Sequence, residues 1–283
     1  MRTMLSTIRH TRWPVLGVAM AAGLSLAIAP SVAAGSDTPV PTRAAVRAGV
    51  TPGQAYMGWK GSSPDRLQAS ATTKAAAVSG VLGIDVSGWQ KTVNWASWKK
   101  AGKQFAYVKA TEGTTFQNPY FASQYNGAYK AGLIRGAYHF ASPNGKSGVA
   151  QANYFVAHGG RWTKDGKTLP GVLDIEYNPY GSTCYGLSKK KMVAWIKAFT
   201  TQYKKLTTRD AVIYTTTDWW TRCTGNTKVF SKTNPLWVAR YASKVGTLPG
   251  GWPYYTFWQY SSNPLDQNRF SAKRDRLIVL ANG

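Results

Sequence analysis

The stretch Gly171-Val172-Leu173-Asp174-Ile175-Glu176, with the segment that follows it, decides the fold. Its apolar run suits a buried strand. Beyond it, over 188–203, Met192, Val193, Ile196, Phe199 and Tyr203 recur at i, i+3/i+4 spacing, one face of a helix. Ser188 is a good N-cap for that helix, because its hydroxyl can accept from a free first-turn N–H. A strand feeding into an amphipathic helix is the unit of a parallel sheet with crossover helices. The unit recurs: strands are predicted at 81–86, 105–110, 134–140, 211–215, 236–241 and 257–260, and helices at 95–101, 120–131 and 148–158. From Leu236 the strands follow one another with little room for helices. The expectation is an α/β fold, a barrel of several βα units completed by plain strands.

Upstream the character of the chain changes. Arg2, Arg9 and Arg12 precede an apolar run over 15–29, and Ser31-Val32-Ala33-Ala34 offers small residues for cleavage. This predicts a signal peptide over 1–34, since the run is short for a membrane anchor. Residues 35–80 are rich in Ala, Thr, Pro, Gly and Ser, and read as a leader, pro-segment or linker. Tyr56, Met57 and Trp59 keep open an N-terminal layer packed on the main domain, which is expected over 81–283. Cys184 and Cys223 lack the closely spaced His or Cys partners of a metal site. In an exported chain they are expected to form a disulfide.

The chain carries 35 Lys and Arg against 11 Asp and Glu, a net charge of +24, which favours accumulation on polyanions. The basic residues form no single stripe, so with export an anionic wall polymer fits better than nucleic acid. A solvated basic surface is the plainer alternative. Nothing points to a cofactor, a metal, membrane insertion after signal cleavage, or more than a monomer. Twelve Trp and 16 Tyr hint at carbohydrate, although each aromatic alone reads first as core.

Acidic residues are scarce, so their positions inform. Asp85, Asp174 and Glu176 fall at ends of predicted strands, where α/β barrels carry active sites. At i and i+2 on a strand, Asp174 and Glu176 face the same way with Cα atoms about 6.6 Å apart. Two carboxyls so placed resist joint ionisation, and a glycosidase needs one protonated and one ionised. A bare D-x-E is also common in strand-end ion pairs.

Five motifs in order settle that ambiguity: 83–90 (Gly-Ile-Asp-Val-Ser-Gly-Trp-Gln), 107–113 (Tyr-Val-Lys-Ala-Thr-Glu-Gly), 136–140 (Gly-Ala-Tyr-His-Phe), 173–176 and 258–260 (Trp-Gln-Tyr). Together, from about residue 81 onward, the chain resembles the glycoside hydrolase family 25 (Chalaropsis-type) lysozymes. The resemblance implies a single flattened (β/α)5β3 TIM-like barrel. It also implies a secreted N-acetylmuramidase cutting the β-1,4 bond from N-acetylmuramic acid to N-acetylglucosamine in bacterial peptidoglycan. It assigns Glu176 as general acid, Asp174 as orienting or charge-stabilising partner, Asp85 and Asp266 as cleft carboxylates, and Tyr138, Trp258 and Gln259 as substrate contacts. The family usually has a longer Gly-containing loop between Trp-Gln-Tyr and its last Asp-x-Asn, a departure that bears on Asp266. His139 reads as structural, Glu112 as a loop or rim contact, Lys109 as an internal ion-pair partner for the acidic cleft, and Trp237 as core or subsite wall. A chitinase-like hydrolase and a non-catalytic wall lectin are the competing readings.

Overall fold

The computed structural model describes residues 51–59 and 80–283. The predicted signal peptide and most of the 35–80 region lie outside the described residues. The strands are β1 (Val81–Val86), β2 (Phe105–Glu112), β3 (Phe116–Gln117), β4 (Ile134–Phe140), β5 (Val172–Asp174), β6 (Val212–Thr215), β7 (Leu236–Ala239), β8 (Phe257–Ser261) and β9 (Gln267–Phe270). The helices are α1 (Trp95–Lys100), α2 (Phe121–Lys130), α3 (Gly148–Phe155), α4 (Lys189–Thr207), α5 (Thr217–Thr224) and α6 (Arg274–Asn282).

The sheet order is β1-β9-β8-β7-β6-β5-β4-β2-β3, and β1 also pairs with β2, so the sheet closes into a barrel with β3 as an outer hairpin strand. Neighbours from β1 through β2, β4, β5, β6, β7 and β8 run parallel, whereas β9 is antiparallel to both β8 and β1. Five strand–helix units followed by three strands make this the (β/α)5β3 TIM-like barrel.

Side-chain alternation sorts every strand into an inner and an outer row. Tyr107, Tyr138, Val172, Tyr214, Trp237 and Phe257 fill the interior. Leu173, Ile175, Ile213, Val238 and Trp258 face outward against Ile196, Phe199 and Trp219 from α4 and α5. The interior is crowded with rings: Trp237 lies 4.9 Å from Tyr107 and 5.3 Å from Phe257 between centroids. A Cβ at Gly136 would fall 2.2 Å from the Tyr107 ring, so glycine there is what admits the ring. Trp237 is thus barrel core.

Strand 171–176 is shorter than its sequence suggests. β5 stops at Asp174, leaving Glu176 just beyond it. Ser188 caps α4, accepting from the Lys191 N–H, and the helix runs on to Thr207 before Thr208 ends it in the left-handed region, φ 65°. The helix predicted over 148–158 is regular only to Phe155; His158 and Gly159 break the wider turn that follows. Among the described residues no helix is long and apolar enough to cross a membrane.

Cys184, in the loop after β5, is bonded to Cys223 of α5, 39 residues on. Closing a loop of that length restricts the unfolded chain by about 4 kcal/mol. Replacing both cysteines with alanine should lower the unfolding free energy in denaturant titration by that order.

Candidate active site

The carboxyl groups gather where the parallel strands end. Asp85 sits near the end of β1 and Asp174 at the end of β5. Glu176 lies two residues past Asp174 on the same face, and Asp266 immediately before β9. All four are buried: Asp174 is 0 %, Asp85 1 %, Glu176 1 % and Asp266 7 % exposed. Despite the short loop, Asp266 reaches the site, its carbonyl accepting from the Asp85 N–H at 3.3 Å.

Asp85 is held by amides. Its Oδ2 accepts from Asn268 Nδ2 at 2.6 Å and from Gln259 Nε2 at 3.0 Å. Gln259 Oε1 in turn accepts from the hydroxyls of Tyr214 at 2.7 Å and Tyr241 at 3.1 Å. The Gln259 amide thus turns its oxygen to the two phenols and its NH2 to Asp85. Burial still pushes the Asp85 carboxyl up to about 7, with the Asn268 and Gln259 bonds pulling the other way. Burial raises Asp174 well above the usual range, Glu176 adds to the rise, and Lys109 opposes it. Neither Asp174 oxygen has a hydrogen-bond partner among the described residues. Asp266 is likewise raised by burial, then by Asp85 and Glu176.

Of the expected substrate contacts, Tyr138 and Gln259 point into the cleft. The buried Tyr138 phenol is raised by desolvation and then by the neighbouring Asp85 and Asp174. Trp258 does not join them. One position along β8 from Gln259, it faces the helical layer, with its indole N–H on the Arg240 carbonyl at 2.8 Å. His139 also faces outward, between Thr111 at 2.8 Å and Gln151 at 2.9 Å. Burial lowers its pKa to about 4, which keeps it neutral in this structural role.

Glu112 reads from sequence as a loop or rim contact. It ends β2, is buried, and pairs with Lys109 Nζ at 2.5 Å. Lys109, read from sequence as an ion-pair partner for the acidic cleft, finds that partner in Glu112, whereas Tyr214, Tyr241 and Asn268 were not singled out as parts of the cleft. Alternation on β6, and the Asp-x-Asn spacing of Asp266 and Asn268, were the available clues. An open groove lined by Trp162, Pro170, Arg209 and Pro235 lies at the opposite ends of the strands, away from these carboxyls.

Residues 51–59 lie over this end of the barrel. The Gly58 N–H donates to Glu176 Oε1 at 2.6 Å, and Met57 is buried among the interior residues.

Residues 84–268 match the family described as Glycosyl hydrolases family 25. The chain is 48 % identical to Lysozyme M1 of Streptomyces globisporus over 295 residues, covering 98 % of this chain and 97 % of that one. It is 54 % identical to the N,O-diacetylmuramidase of a Chalaropsis species over 210 residues, 72 % of this chain and all of that one. The solved muramidase of Acremonium alcalophilum superposes with a TM-score of 0.71 at 58 % identity, over 72 % of this chain and 99 % of that one. An acidic cluster at the barrel end, the (β/α)5β3 closure and these matches agree: the chain is a glycoside hydrolase and belongs to family 25.

Proposed function

We propose that the chain is a secreted N-acetylmuramidase that hydrolyses the β-1,4 bond between N-acetylmuramic acid and N-acetylglucosamine in bacterial peptidoglycan. The observation that carries this reading is the convergence of Asp174 and Glu176 with Asp85 and Asp266 at one end of the barrel. The muramidase names of the relatives at 54 % and 58 % identity support the substrate.

Glu176 acts as general acid, giving its proton to the glycosidic oxygen as the bond to the muramic-acid anomeric carbon breaks. Asp174, ionised in the open cleft, orients the substrate or stabilises the oxocarbenium-like charge. Water adds at the anomeric carbon and leaves a new reducing end. Asp85, braced by Asn268 and Gln259, adds to the negative potential that favours that charge when it is ionised. The excess of basic over acidic residues, which remains after the three signal arginines are removed, draws the enzyme to anionic wall polymers. Export follows from the leading charged and apolar segments.

On the domain over 80–283, Glu176→Gln should cut the rate by roughly 10²–10⁴-fold with folding intact. Mass spectrometry after borohydride reduction should find reduced muramic acid from the unsubstituted domain alone. Glucosamine ends instead, or full activity in the variant, would overturn the assignment.

The cleft also predicts a pH dependence of stability. Asp85, raised from 3.8 to about 7, favours the folded form while it stays protonated, and that contribution is lost as pH rises through about 7. Asp174 and Asp266 shift in the same direction. Denaturant unfolding at a series of pH values should show stability falling from pH 4 to 8 (chosen on the order of the usual carboxyl range and above). The fall should be visibly smaller in Asp85→Asn. An identical slope in both proteins would reject Asp85 as a source.

A further inference from the structure

We propose that residues 51–59 are an autoinhibitory plug: the chain's own leader fills the substrate cleft, and the hydrolase becomes active when that segment leaves. The inference rests on the reading of the carboxyl cleft as the hydrolytic site.

The segment is built into the cleft at both ends. At one, Lys109 Nζ donates to the carbonyls of Gly53, at 3.0 Å, and Ala55. The Gly53 N–H donates to Glu112 Oε1 at 3.1 Å and to the Tyr180 hydroxyl oxygen at 3.2 Å. At the other, the Gly58 N–H meets Glu176 at 2.6 Å, and the Trp59 indole donates to the Tyr177 carbonyl at 2.9 Å. Between them the Trp89 indole donates to the Gln54 carbonyl at 2.6 Å, while Ala55 and Met57 are fully buried.

This arrangement excludes a sugar. A general acid must stand within hydrogen-bond reach of the oxygen it protonates. Here a peptide nitrogen occupies that distance from Glu176, and Met57 sits in the barrel mouth beside Tyr138 and Tyr214. The fit is specific. Gly58 has φ +78°, and a Cβ there would lie 2.3 Å from the Tyr241 hydroxyl and 2.7 Å from Gln259 Oε1.

The segment is not needed for the barrel. Every strand lies between Val81 and Phe270, and the Acremonium muramidase is matched over 99 % of its length by 72 % of this chain. The domain over 80–283 therefore stands by itself. Lysozyme M1 of Streptomyces globisporus, by contrast, matches 98 % of this chain, its leader region included.

Two measurements decide between a plug and a permanent strap. In the full chain without its signal, Gly58→Val should release reducing ends from peptidoglycan at least roughly tenfold faster than the unsubstituted chain, as expected if the cleft is closed nine-tenths of the time or more. An unchanged or lower rate in a folded variant, judged by circular dichroism, overturns the plug. Independently, a synthetic peptide of residues 51–59 is titrated calorimetrically into the 80–283 domain, to roughly 10 mM because a tether supplies millimolar effective concentration. Saturable binding that inhibits hydrolysis competitively, and is lost with Gly58→Val in the peptide, is the expected result. Absence of saturable binding overturns the plug even where the full-length variant misfolds. Should no form, the bare domain included, release reducing ends from peptidoglycan, the muramidase reading fails, and the Gly58-dependent peptide titration still establishes or refutes occupancy of the cleft.

Discussion

Carboxyl groups of one sign sharing a volume almost closed to water are the constraint that the rest of this structure answers. Removing a carboxylate from water is costly, and a second beside it raises the cost. Asp85 meets this with two amide donors, Gln259 and Asn268, and Gln259 is itself locked by Tyr214 and Tyr241. Glu112 meets it with Lys109. Asp174 accepts no hydrogen bond among the described residues and has Lys109 only at a distance, and its carboxyl is pushed well above the ordinary range. Elsewhere the interior is rings and branched aliphatics. Five of the 11 acidic residues converge on this one end of the barrel while the chain as a whole is strongly basic.

The closing strand shows how topology and chemistry are linked. β9 fits antiparallel between β8 and β1, with Asn268 opposite Gly83 on one side and Gln259 on the other. One short strand thus closes the barrel, delivers an amide to Asp85, and fixes where Asp266 emerges. A fully parallel closure would need another crossover helix before the last strand. The antiparallel return needs only the short loop from Ser261 to Asp266, so the shortened connection and the placement of the last carboxyl have the same cause.

Much of this was legible in the sequence because most strands carry one row into a helical layer, which leaves an apolar run. The frame from Val81 to Tyr260 could be read that way, as could Ser188 as a cap. β9 could not: Gln267-Asn268-Arg269-Phe270 is mostly polar, since its inner row gives Asn268 to the cleft and only Phe270 to the core. Trp258 misled because an aromatic beside a polar cleft residue invites a sugar contact, yet alternation from Gln259 turns it outward. Glu112 misled because a charged residue near a glycine suggests a loop, and its partner Lys109 lies beyond a bulge that breaks simple alternation. The short segment around Met57 has no periodicity to read; its burial depends on contacts made 59 to 183 residues away.

That segment also bears on why an acidic cleft can be covered without a cation from the cover. Thr51 through Trp59 contains no charged side chain. Its peptide groups do the work, N–H toward Glu112 and Glu176, carbonyls toward Lys109. A lysine laid into the cleft would form a stronger local pair, but its attraction would compete with the basic exterior and would weaken with salt. Neutral backbone contacts inside a dry cleft are far less sensitive to ionic strength than a surface ion pair, because solvent ions do not reach them. A strongly basic protein can therefore keep these contacts through changes in salt, because none of them relies on a charge carried by the covering segment.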